Sequence, residues 1–111
     1  MKDTPLAGED DYSDDPTAVP PGAIVRALKI INQKGLHARA SAKFVQTVEK
    51  YDADVRVSRG GESVGGTSIM GLMMLAAGPG TEITVTASGN EAAEVLAALE
   101  RLVNGRFEET D

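Results

Sequence analysis

The sequence contains no cysteine and no tryptophan, and only one histidine, His37. Without cysteine there are no disulfide staples, thiol nucleophiles or cysteine-based zinc sites, and a single histidine excludes metal centres built on histidine pairs. Stability must therefore come from packing, and neither metal nor cofactor is expected. Aromatic residues are scarce, two tyrosines and two phenylalanines, and no basic cluster accompanies them. A nucleic-acid surface would need a positive stripe with rings for stacking, so that class ranks low. No apolar run approaches the length of a membrane span, and the N-terminus lacks the basic-then-apolar pattern of a secretory signal. The sequence reads as that of a soluble cytoplasmic protein. It also lacks a Ser-His-Asp set, a carboxylate pair at a catalytic spacing and a phosphate-cradling glycine loop, which argues against an enzyme with its own substrate pocket.

What is present is enough for one small domain: 111 residues with a net charge of −6. The charge is unevenly placed. Residues 1–22 hold Asp3, Glu9, Asp10, Asp11, Asp14 and Asp15 against Lys2 alone, and Glu108, Glu109 and Asp111 crowd the other end. Between the two ends the chain is slightly basic. Pro5, Pro16, Pro20 and Pro21 interrupt the leader, which has little to bury. Residues 1–22 are therefore expected to form a flexible acidic extension, and residues 23–111 a folded domain with a short acidic tail.

From Ala23 onward the pattern is regular. Ile24 to Ile31 has the β-branched character of a strand and ends in a loop, Asn32-Gln33-Lys34-Gly35. Phe44, Val45, Val48 and Tyr51 then share one face of an amphipathic helix. Asp54 to Arg59, Gly60-Gly61 and Glu62 to Val64 read as a hairpin. Thr67 or Ser68 can cap a short helix from Ile69 to Ala77, which Gly78-Pro79-Gly80 would stop. Thr81 to Ala87 alternates as a fourth strand. Ser88 with Glu91 resembles a capping box, Asn90 being the other candidate cap, ahead of a last helix with Ala92, Val95, Leu96, Leu99, Leu102 and Val103 on one stripe. The order β-α-β-β-α-β-α, with one-sided helices and alternating strands, predicts an α+β two-layer sandwich.

His37 is where chemistry would reside. It lies between a glycine loop and the first turn of a helix, where backbone N–H groups lack helical partners and the dipole favours negative charge. A neutral ring nitrogen can attack phosphorus near neutral pH without a separate base. Arg39, two residues on, offers a permanent forked charge for phosphate oxygens. On these two residues alone, an inconsequential surface pair is the better reading.

The surroundings shift that balance. Gly35-Leu36-His37-Ala38-Arg39, with Ala42 and Phe44 behind it, resembles the active-site segment of HPr, the histidine phosphocarrier of the bacterial phosphoenolpyruvate-dependent phosphotransferase system. Ser68-Ile69-Met70-Gly71-Leu72-Met73-Met74-Leu75 resembles the family's regulatory-serine segment. The resemblance spans roughly residues 23–107. It implies an open-faced, mainly antiparallel four-stranded sheet with three helices on one face. It also implies a monomer that accepts a phosphoryl group from enzyme I on Nδ1 of His37, supported by Arg39, and passes it to an enzyme IIA-type protein. Ser68 would be the target of an HPr kinase/phosphorylase. Ala40 stands where the family usually has proline, and the ending Val103 to Glu109 is similar to the nitrogen-related branch, which leaves transport and nitrogen regulation both open. A regulatory binding module on the same fold, selecting partners by phosphorylation state without onward transfer, is the alternative.

The helix after Ser68 carries too many methionines for one thin domain to bury. Leu72 and Leu75 belong to the core, whereas Ile69, which could also pack there, joins Met70, Met73 and Met74 as candidate docking residues near His37. Gly71 within it costs about 1 kcal/mol relative to alanine, which implies that something approaches closely there.

Overall fold

A computed structural model describes residues 22–109. The acidic leader inferred from the sequence lies outside the described residues, Gly22 excepted. Four segments form strands: β1 (Ile24–Lys29), β2 (Asp54–Arg59), β3 (Glu62–Gly65) and β4 (Glu82–Ser88). They assemble in the order β1-β4-β2-β3, every neighbouring pair antiparallel. The register aligns apolar side chains across the sheet: Leu28 opposes Ile83, while Val57 opposes both Val85 and Val64. On β4 the alternation is complete, with Ile83, Val85 and Ala87 buried and the intervening residues turned outward.

Three helices cover the apolar face: α1 (Ala38–Val48), α2 (Ile69–Met74) and α3 (Ala92–Asn104). The chain is an α+β sandwich with one sheet face open, as the sequence implies. α1 buries Ala40, Ser41, Phe44, Val45 and Val48. α3 packs on β1 and β4 and buries Ala92, Val95, Leu96, Ala98, Leu99 and Val103, with Leu102 only half-buried at its margin. Among the described residues no helix is long and apolar enough to cross a membrane.

Several boundaries differ from the sequence-based expectation, each for a long-range reason. β1 ends at Lys29, although Ile30 is fully buried and its N–H and C=O bond to Thr81 and Gly80. α2 stops at Met74, not Ala77. Ala76 turns to φ +54°, because the Leu75 carbonyl accepts from Arg59 Nη1 at 3.0 Å and the Ala77 carbonyl accepts from the Leu36 N–H at 3.0 Å. Ile69 is exposed, not in the core. Neither Ser88 nor Asn90 caps α3. Ser88 is the last residue of β4, and Glu91 occupies the cap position without a side-chain bond to the helix. Asn90 and Glu91 are spent instead on Asp52, Nδ2 of the first donating to its carboxylate and Oε1 of the second accepting from its N–H.

The loop before α1 is pinned by a glycine. Gly35 has φ +64°, and a Cβ there would overlap the Ala77 carbonyl oxygen and stand 2.9 Å from Gly78 Cα. Gly35→Ala should therefore destabilise the fold, by roughly 1–3 kcal/mol of overpacking and about 1–2 kcal/mol for a left-handed alanine. Thermal unfolding would report it as a midpoint drop of roughly 4–8 °C per kcal/mol for a domain of this size; an unchanged midpoint would contradict the packing described.

Candidate functional site

The site begins with the residue that starts α1. His37 is the N-cap, with extended backbone at φ −75° and ψ −177°. Its ring plays the part usually taken by Ser, Thr or Asp: Nδ1 accepts a hydrogen bond from the Arg39 N–H at 3.2 Å. An accepting nitrogen carries no proton, so this bond sets Nδ1 as the ring's lone-pair atom. The first intrahelical bond runs from Ser41 N to His37 O at 2.8 Å. The N–H groups of Ala38, Arg39 and Ala40 therefore precede any helical acceptor and form the positive end of the helix beside Nδ1. Ser41, fully buried, locks the preceding residue by donating from Oγ to the Leu36 carbonyl at 3.2 Å.

Arg39 is exposed on the first turn, and its guanidinium has no hydrogen-bond or salt-bridge partner among the described residues. Its side chain is available to an incoming anion. His37 is 27% exposed, open on one side and covered on the other.

The cover comes from the far end of the chain. Beyond α3, Arg106, Phe107 and Glu108 all take positive φ (58°, 54° and 63°), a left-handed turn made without glycine. Such residues cost roughly 1–2 kcal/mol each. Full burial of the Phe107 ring, worth about 1.5–3 kcal/mol, offsets part of this cost. Lys43 Nζ also donates to the Phe107 carbonyl at 2.8 Å and pairs with Glu108 Oε1 at 3.3 Å. The turn delivers Glu109 to the ring, where its Oε2 pairs with His37 Nε2.

Asn32 completes the arrangement. It is fully buried, and its Nδ2 donates to the Gly35 carbonyl at 2.9 Å and to both Glu109 oxygens at 3.2 Å, while its Oδ1 has no partner among the described residues. Burial alone would raise the Glu109 pKa. The hydrogen bonds from His37 and Asn32 and the charges of His37 and Lys34 outweigh it, holding the carboxyl below its ordinary value.

The second candidate segment lies next to this loop through the Leu36–Ala77 bond. Ser68 is the N-cap of α2, its Oγ accepting from the Gly71 N–H at 2.9 Å. Gly71 leaves room for Val64 of β3 and for the Ser68 hydroxyl, both of which a Cβ would meet at 2.9 Å. Ile69, Met70, Met73 and Met74 are 39%, 70%, 40% and 71% exposed, a contiguous apolar surface on a six-residue helix.

With this geometry in hand, residues 24–105 match the family model described as "PTS HPr component phosphorylation site". The chain belongs to the HPr family. It is 49% identical over 84 residues to phosphocarrier protein HPr of Neisseria meningitidis, covering 76% of this chain and 94% of that one. Against HPr of Pseudomonas aeruginosa the identity is 52% over 83 residues, covering 74% and 92%. Among solved structures, HPr-C-His from Thermoanaerobacter tengcongensis superposes with a TM-score of 0.75 at 34% identity, covering 79% of this chain and 99% of that one. HPr from Bacillus anthracis gives 0.70 at 38% identity, covering 73% and 96%. The family is that of the phosphocarrier proteins of the phosphotransferase system.

Within the HPr fold, His37 and Arg39 stand together at the start of α1, as the sequence suggests. Glu109 and Asn32 are the residues that sequence reasoning missed. In the sequence Glu109 reads as part of a short acidic tail, and it lies past the last residue matched by the family model. The pair formed by buried Asn32 and partly buried Glu109 has a pH signature. Because the folded pKa of Glu109 is lowered, its stabilising contribution is present above the ordinary carboxylate value and is lost as pH falls through the lowered one. Denaturant midpoints of the parent and of Glu109→Gln should therefore differ at neutral pH and converge in acid; a constant gap would mean that the ionised carboxylate contributes nothing.

Proposed function

We propose that this HPr-family chain accepts a phosphoryl group from enzyme I on Nδ1 of His37 and passes it to an enzyme IIA-type protein. One observation carries the reading: the unprotonated ring nitrogen sits at the N-terminus of α1, beside N–H groups not yet engaged in the helix and next to an arginine without a partner among the described residues. Phosphoryl transfer is chiefly a matter of positioning and charge stabilisation. A phosphate on Nδ1 would take over the bond that the Arg39 N–H now gives the ring, and Arg39 would fold its guanidinium over the remaining oxygens. The protein would act in the cytoplasm as a monomer, with residues 23–111 as the transfer domain and residues 1–22 as an acidic extension outside it.

Incubation with phosphoenolpyruvate and the host's enzyme I tests this directly. Intact mass should show one added, acid-labile phosphate, absent in His37→Ala. Arg39→Ala should keep the fold and slow the same reaction by the loss of a charge-assisted contact, about 1.5–3 kcal/mol. A normal phosphate signal in His37→Ala would overturn the assignment.

Ser68 is the proposed regulatory site, the substrate of an HPr kinase/phosphorylase. A phosphate there suits the start of α2 and need not unfold it, but adds roughly two negative charges beside Ile69, Met70, Met73 and Met74, the proposed docking residues. A phosphorylated donor would meet repulsion there. Ser68→Asp should preserve stability, since aspartate also caps, and slow His37 phosphorylation. Equal rates in that variant and the parent would leave Ser68 as a helix cap only.

A further inference from the structure

We propose that Glu109 is a positioning residue of the transfer reaction: its carboxylate keeps the imidazole proton of His37 on Nε2, so that Nδ1 presents its lone pair at the helix start throughout the cycle. The inference rests on the reading of His37 as phosphoryl acceptor and deepens it.

Two hydrogen bonds select the same tautomer from opposite sides of the ring. Nδ1 accepts from the Arg39 N–H, and Nε2 faces a group that as a carboxylate can only accept. The carboxylate is itself held. Its side chain is 12% exposed, and both its oxygens accept from Nδ2 of Asn32, a fully buried amide whose own Oδ1 has no partner among the described residues. Burying an amide with one end unsatisfied is costly, and here the satisfied end faces Glu109. The third observation is the backbone that brings the carboxylate in. Three successive non-glycine residues in the left-handed region are seldom kept unless surrounding structure compensates them, and outliers of this kind concentrate at functional sites. Phe107 and Lys43 supply that compensation.

The chemistry balances without a free base. The Nδ1 lone pair forms a bond to phosphorus while the bond from phosphorus to the donor breaks, its electron pair leaving with the donor. The Nε2 proton stays in place, shared with Glu109, whose negative charge offsets the positive charge that the ring gains. In onward transfer the N–P bond breaks with its electron pair returning to Nδ1, and the ring departs as neutral imidazole already protonated on Nε2, not as the far poorer leaving group imidazolate. The ring lies between the carboxylate and the incoming phosphoryl group. The other charges bordering the pair are Lys34, Arg39, Lys43 and Glu108, the last two bound to each other.

The test uses the full chain and the variants Glu109→Ala, Glu109→Gln and Glu109→Asp. Because His37 is the only histidine, ring-nitrogen NMR of the unphosphorylated protein reads its tautomer without overlap. The parent should show the proton on Nε2, and Glu109→Ala a mixed ring. Phosphoryl acceptance from enzyme I should fall about tenfold in Glu109→Ala, in the range seen when a residue orienting a reactive group is lost. Glu109→Asp should recover part of that rate. Glu109→Gln should not, since its amide can donate to Nε2 and drive the proton to Nδ1. A ring spectrum and an acceptance rate in Glu109→Ala both equal to the parent's would overturn the proposal. A parent that takes up no phosphate would instead defeat the acceptor role of His37, while the ring spectrum would still decide what Glu109 does.

Discussion

The contact on which the site depends is the seam where Gly35 and Leu36 press against Ala77. No side chain fits between the Gly35 Cα and the Ala77 carbonyl, and that carbonyl is bound by the Leu36 N–H. This one joint ties the loop before α1 to the turn after α2, the Leu36 N–H taking a carbonyl that the end of a helix leaves without an internal donor. His37 follows the seam directly and the methionine-bearing helix precedes it. The His37 ring and the apolar surface are thus set by a shared piece of backbone, and neither can move far without disturbing the other.

The two nitrogen edges of the ring face opposite electrostatics. On the Nδ1 side stand the helix N-terminus and the guanidinium of Arg39, which has no partner among the described residues, both suited to negative charge. On the Nε2 side stands a carboxylate that Asn32 and the nearby Lys34 help keep ionised. The overall charge of −6 would suggest a protein that repels phosphate. Its distribution matters more, since at the separations involved local groups dominate over distant screened ones.

What the sequence discloses and what it withholds divide along the distance between interacting residues. Strand alternation in Ile83, Val85 and Ala87, the helix stripe ending in Leu99 and Val103, the place of His37 at a helix start and the cap Ser68 are all local patterns, read from neighbours within a turn or two. Glu109 pairs with a residue 72 positions away, and the turn that carries it breaks the local rule that left-handed backbone belongs to glycine. No short window could have revealed it. The false capping box at Ser88 has the same origin. Glu91 has the right spacing from the serine, but the Asp52 N–H competes for its carboxylate and wins, bonding at 2.6 Å.

The exposed side chains of α2 raise a question of magnitude. Hiding Met70 and Met74 inside would need a thicker domain, yet leaving them in water forgoes much of the 1.5–3 kcal/mol that burial of each could return, by the usual order-of-magnitude scale. A helix of six residues cannot present a large interface, and complexes that bury little surface dissociate quickly. On the relay and docking roles proposed above, a small adaptable apolar face suits a carrier that must leave its donor before it meets its acceptor better than a large complementary one would. Methionine serves that use because its flexible side chain can repack against surfaces of different shape. Arg59, holding the Leu75 carbonyl, and Val64, seated against Gly71, then keep the helix itself rigid, so that the adaptability lies in the side chains while the backbone beneath them stays in place.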